Sequence, residues 1–115
     1  MAIPSGSGTE VLKVSFGNRT NSTETNVLNG VANHIYTILS VVITHTSSNA
    51  PAINLYVKDD GSTAYYLVFG QALGANKTFV WNDRVVLSGT DELWFATGGT
   101  CDTDIVVSYI DQDWS

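Results

Sequence analysis

Basic side chains are scarce in this sequence. Five of them (Lys13, Arg19, Lys58, Lys77 and Arg84) stand against eleven acidic ones, and they are scattered rather than grouped. Phosphate binding works by releasing counterions to clustered Lys and Arg, so a formal net charge of −6 without a cationic cluster argues against nucleic acid as a partner. Cysteine is limited to Cys101, which leaves neither an internal disulfide nor a cysteine metal cluster possible within the chain. Its context, GGTCDTD, sets an acid beside the sulfur, the wrong setting for a reactive thiol. Long apolar runs are missing too. The longest, IYTILSVVIT, is too short and too polar to span a bilayer, so no membrane partner is expected. The start, MAIPSGSGTE, lacks the basic residues and apolar run of a secretory signal, and the expectation is a chain made in a cytosol.

Catalytic signatures are equally thin. No GxSxG elbow, Walker loop or HExxH occurs. The two histidines, His34 and His45, stand at the ends of one extended run, roughly 35 Å apart if it is a strand, so they cannot share a site within one chain. Both are expected on the surface at strand ends. The DDG at 59–61 lacks the spaced oxygen ligands of a calcium loop. With Asp111 and Asp113 further on, Asp102 and Asp104 make the other acidic cluster; they would point the same way in a strand, which leaves room for a weak cation site at most. Nothing in the spacing of the eleven acids selects a glycosidase pair. The triplets NRT, NST and NKT match the glycosylation pattern only as an Asn- and Thr-rich chain would by chance. No catalytic residue, metal ligand or cofactor is assigned, and an enzyme is not expected.

What the sequence does contain is alternation. From His34 to Thr44, Ile35, Leu39, Val41 and Ile43 fall on one parity and Tyr36, Ile38, Ser40, Val42 and Thr44 on the other. The β-branched content of this run favours a strand with one apolar face. After SSNAP, Ile53, Leu55 and Val57 alternate with Asn54, Tyr56 and Lys58. KDDGS signals a tight turn, with Gly61 free to take positive φ. TAYYLVFGQ sets Tyr65, Leu67 and Phe69 against Tyr66 and Val68. Phe79 with Trp81, Val85 with Leu87, Leu93 with Phe95, and Ile105 with Val107 and Tyr109 continue the pattern, with ALGAN, NDR, SGTDE and TGGTCDTD between them. About seven to eight strands result and no three-turn helix. The expected fold is all-β, a single-domain antiparallel β-sandwich of jelly-roll-like type. Residues 1–9 read as a flexible arm, 10–115 as the sandwich domain, and GNRTNSTETN (17–26) as a polar, turn-forming loop.

Within that frame Asp83, Asp91 and Glu92 read as solvated turn residues. The aromatics are more informative. Trp94 opposes the parity of Leu93 and Phe95, and Tyr56 and Tyr66 likewise oppose the expected core faces. Outward amphipathic rings are enriched at interfaces and in glycan sites. Trp114, near the end of the chain, is expected to dock on protein, and Ile3 is the single apolar anchor of the arm. Ile3, Tyr56, Tyr66, Trp94 and Trp114 are therefore the interface candidates.

The succession MAIPSGSGTEVLK, NGVANHIYTILSVVITHTSS, INLYVKDDGSTAYYLVFGQALGANKTFVWND, VVLSGTDELWFAT and DIVVSYIDQDWS resembles small virion structural proteins of tailed bacteriophages, of the capsid decoration (cement) or head-fibre type. The resemblance implies a β-sandwich with an assembly role and no chemistry. It implies a major capsid protein as partner, the outer capsid surface as location, the bacterial host cytoplasm as place of synthesis, and a homo-oligomer. A trimer is the order that local three-fold lattice positions would hold. The alternative it leaves open is a glycan- or receptor-binding module of a head fibre or tail, with Trp94, Tyr66 and Tyr56 as the stacking platform.

Overall fold

A computed structural model describes residues 9–20, 24–49 and 51–114. Among them the strands are β1 (Thr9–Arg19), β2 (Thr25–Asn29), β3 (His34–His45), β4 (Ile53–Asp59), β5 (Thr63–Gln71), β6 (Thr78–Trp81), β7 (Val85–Ser88), β8 (Glu92–Thr97) and β9 (Thr103–Asp113). One sheet runs β1-β9-β3-β6, with β7 also paired to β3; the other runs β2-β8-β4-β5. β6 and β7 pair with successive halves of β3, so they are one strand interrupted at residues 82–84. Counted that way, four strands stand in each sheet and the chain winds between them as in a jelly roll. The seven runs of alternation in the sequence are β3 to β9; β1 and β2, which alternation did not single out, bring the count to nine where seven or eight were expected.

β3 departs from its expected parity. Tyr36 and Ile38 are buried in its first half, and Val41, Ile43 and His45 in its second. The register with β9 shifts between Ile38 and Ser40, leaving Leu39 as an extra residue. A bulge of this kind moves every following side chain to the other face, so Ile35 and Leu39 do not join Val41 and Ile43 in the core. The break between β6 and β7 lies at the same level, since Ile38 pairs with Val85 and Val41 with Trp81. Both partners of the ladder therefore change stride together, with Asn82, Asp83 and Arg84 in the gap.

The polar block 17–26 is not one loop. Gly17, Asn18 and Arg19 end β1, whose ladder with β9 runs unbroken from Thr9↔Asp113 to Arg19↔Thr103. Thr25 and Asn26 open β2. Gly17 is needed for close approach: a Cβ there would lie 2.9 Å from Ile105 Cγ2 and 3.6 Å from Phe95. Between the sheets Ile53, Leu55, Leu93, Phe95, Ile105 and Val107 are fully enclosed, and each such side chain contributes about 1.5–3 kcal/mol on burial. The KDDGS turn forms as its residues predict, with Asp60 and Gly61 both at positive φ (52° and 72°) and Ser62 N donating to Asp59 O at 3.0 Å.

Candidate interaction surfaces

The outer face of the β2-β8-β4-β5 sheet carries a row of rings. Tyr56 is the cross-strand partner of both Trp94 and Tyr66. Trp94 stacks on Tyr56 at 6.5 Å between centroids, Tyr56 meets Tyr66 at 5.1 Å, and Tyr66 meets Phe69 edge-on at 4.9 Å. Outward parity does not make Tyr56 accessible. It is only 1% exposed, enclosed by the neighbouring rings, and this corrects its reading as an exposed contact residue. Its hydroxyl is held well above the usual phenol range, first by burial and then by the neighbouring Glu24 carboxylate.

Trp94 is half-buried and its groups are engaged. Its Nε1 donates to Glu92 Oε1 at 2.9 Å, and Lys58 Nζ lies 3.9 Å from the ring centroid while pairing with Glu24 at 3.6 Å. The open part of the row is Tyr66 at 50% exposure and Phe69 at 73%. Phe69 was assigned to the core side by alternation alone. Register shifts in the β4–β5 ladder set Val68 opposite Leu55 in the core and turn Phe69 outward.

The outer face of the other sheet is apolar in a different way, and alternation, which marks an apolar side of a strand, does not say that this one faces outward. Leu12, Val14 and Phe16 project from β1, two of them more than 70% exposed, and lie beside Ile110, Ser108 and Val106 of β9. Thr37, Ser40 and Val42 of β3 continue the field toward Val86 and Val80, both exposed. Charged strand positions occur only at its ends. At one, Gln112 Nε2 donates to Glu10 Oε1 at 2.9 Å. At the other, Asn18 Nδ2 donates to Asp102 Oδ1 at 2.8 Å and Asp104 Oδ1 at 2.6 Å, so an amide sits between those carboxylates. Among the described residues no group of three or more His, Cys, Asp or Glu is arranged to hold a metal ion.

The polar residues singled out in the sequence hold the scaffold. His34 is not a free surface ring: its Nδ1 donates to Asp111 Oδ1 at 2.7 Å, and its Nε2 lies 3.4 Å from Asp113. Lys13 Nζ meets the other oxygen of the buried Asp111 at 2.8 Å. His45 is fully enclosed, with Nδ1 donating to the Leu73 carbonyl at 2.9 Å. Both corrections have one cause, since the Leu39 bulge turns the two ends of β3 inward. Asp91 joins two turns, accepting from Asp60 N at 3.0 Å and Ser88 N at 3.2 Å. Glu92 belongs to β8 and serves Trp94, while Asp83 stays exposed in the gap. Trp114 N donates to Asn33 O at 2.9 Å, which holds this half-buried residue to the turn at 31–34 of its own chain. Cys101 is buried, its Sγ 3.3 Å from Thr97 Oγ1. Ile3 lies outside the described residues.

No protein family and no curated protein matches the chain by sequence. Solved structures match it in fold. A chain of the Bacillus endospore appendages, described as a family of disulfide-linked pili, superposes with a TM-score of 0.57 and 14% identity, over 100% of this chain and 97% of that one. A chain of the acid-stable capsid of Helicobacter pylori bacteriophage KHP30 superposes with a TM-score of 0.57 and 11% identity, over 94% of both. One from infectious bursal disease virus, Gx strain, reaches 0.55 and 11%, over 95% of this chain but only 34% of its own length. At such identities the likeness is one of fold.

Proposed function

We propose that this chain is a non-enzymatic structural protein of a bacteriophage virion, a capsid decoration (cement) protein that binds the major capsid protein on the outer surface of the shell. The observation that carries this reading is that both outer faces of the sandwich expose large apolar side chains. Leu12, Val14 and Phe16 stand on one, Tyr66 and Phe69 on the other. Contiguous apolar surface on two opposite faces suits a protein that contacts a copy of itself and a further partner at once. The fold shared with a chain of the KHP30 capsid supports a virion role, and the fold shared with a chain of the endospore pili supports the use of such sandwiches in assemblies. The mechanism is mechanical: free energy of binding across neighbouring capsomers opposes their separation under internal pressure. A net charge of −6 suits the outside of a shell better than an interior lined with DNA.

Cosedimentation of the purified chain with undecorated shells tests this. Saturable binding at a fixed ratio to the capsid protein, with a higher shell melting temperature, is the expected result. Absence of binding removes the reading. A second reading, recognition of a host-surface glycan, is supported by the exposed Tyr66 and Phe69 rings, but Lys58 over Trp94 and the burial of Tyr56 leave it a smaller platform than the sequence implied. Glycan binding that survives Tyr66→Ala and Phe69→Ala would remove it.

A further inference from the structure

We propose that the outer face of the sheet that holds β1, β9 and β3 is the surface through which two copies of this chain pack against each other. The proposal deepens the assembly reading above, and rests on it, by naming the copy-to-copy contact. The exposed anchors are Leu12, Val14 and Phe16 on β1, Val80 on β6 and Val86 on β7, with smaller apolar and hydroxyl side chains between them.

Size is the first argument. β1, β9 and β3 are 11, 11 and 12 residues long. With strands about 4.8 Å apart and a rise of about 3.3 Å per residue, four strand positions give a face of roughly 19 by 33 Å, before side-chain relief is added. That approaches the ~800 Å² per partner of a standard protein–protein interface.

Charge is the second. The chain carries a net −6, yet no strand position inside this field is charged: Glu10, Asp102 and Asp104 stand at its two ends, and Asp83 with Arg84 lies on its margin in the β6–β7 gap. A basic partner would find no carboxylate to pair with among the β1, β9 and β3 positions at its centre. A second copy of the same face finds its match, an uncharged centre on an uncharged centre with polar groups around it, which is the usual anatomy of an interface. The β1 edge offers a poorer contact than the face. Lys13, in the middle of that edge strand, turns inward to Asp111, and an inward-pointing charge is one of the devices that discourage edge-to-edge strand addition. Faces built of Val, Leu, Thr and Ser pack about 10 Å apart, as the two sheets of a sandwich do. A self-complementary face joins two copies. The pairing so inferred is two-fold, in place of the trimer expected from lattice positions.

The test is sedimentation of the full chain over a wide range of micromolar concentrations, at low and at high salt. The expected result is a reversible dimer that tightens with salt, because screening weakens repulsion between the acidic ends. Phe16→Lys and Leu12→Lys should each weaken it by at least about 30-fold, the loss typical of a large apolar anchor replaced by a charge that must be desolvated. Both should leave the melting temperature of the single chain nearly unchanged, since these side chains are exposed within it. Phe69→Lys, on the opposite face, should leave the dimer constant unaltered. A wild-type chain that stays monomeric overturns the proposal, even if Phe16→Lys then abolishes shell binding, because the occupant would be the shell. A dimer indifferent to Phe16→Lys, or broken by Phe69→Lys, overturns it as well. A chain that dimerises through this face but binds no shell upholds the inference and removes only the virion reading.

Discussion

Replacing Asp111 by Asn should cost this fold about 2–3 kcal/mol, and the figure follows from the geometry around one carboxylate. Asp111 is 4% exposed and accepts hydrogen bonds from Lys13 at 2.8 Å and His34 at 2.7 Å. Burial alone would raise its pKa, but the bonds from Lys13 and His34 outweigh it and hold the carboxyl below its ordinary range. The amide keeps the shape, loses the charge and turns an N–H₂ toward one of two donors. Removing one partner of a buried ion pair typically costs about 3–5 kcal/mol. The Lys13 side chain is 44% exposed and can swing into water, which places the expected cost near or below the bottom of that range. For a domain of this size the loss corresponds to a melting temperature lower by roughly 8–12 °C. Urea denaturation and calorimetry of both proteins measure it, and pH supplies an independent check. Because the folded pKa is depressed, the charge contributes its full stability above the unfolded carboxylate value of about 3.9 and loses it as pH falls through the lower folded value. The stability gap between wild type and variant should therefore narrow as pH drops below about 4. A variant within about 0.5 kcal/mol of wild type at neutral pH, the range of a neutral surface change, would refute the assignment of Asp111 as a stabilising charge. So would a gap that acid leaves untouched.

Gly30→Ala should prevent folding or cost about 3 kcal/mol or more, because the new Cβ would lie 2.1 Å from Gly89 O and 2.5 Å from Asp91 O, and both are backbone atoms. Soluble yield and circular dichroism report it. Deleting Leu39 removes the bulge that lets Tyr36, Ile38, Val41 and Ile43 all face inward, so one half of β3 must then present its apolar side chains to water; a deletion variant with wild-type melting behaviour would sink this account of the strand. Tyr66→Ala and Phe69→Ala, both on an exposed face, should stay within about 0.5–1 kcal/mol of wild-type stability in denaturant titrations. Any loss of particle or host-surface binding in these variants then reports a lost contact rather than a lost fold.

The sandwich was legible in the sequence wherever its cause is local. Period-two alternation marks β4, β8 and β9, because side chains in a strand point alternately to two faces whatever lies beyond them. The Asp60–Gly61 turn is read from its residues, because positive φ is a property of single positions. Other features arise between strands. The bulge at Leu39 is a mismatch of count between β3 and β9, visible only when both are paired. β1 alternates too, Leu12, Val14 and Phe16 against Lys13, Ser15 and Gly17, but three of its four large apolar residues face outward, and Gly17, a turn residue by composition, sits in the strand where Ile105 leaves no room for a Cβ. Tyr56 is outward by parity and buried in fact, since the rings that cover it come from neighbouring strands, Tyr66 on one side and Trp94 on the other. His34 and Asp111, far apart in the chain, meet only because β3 and β9 lie side by side. Alternation along a strand is set by the backbone of that strand. Which side chains are covered, paired or left open is set by its neighbours, and only the tertiary structure supplies those.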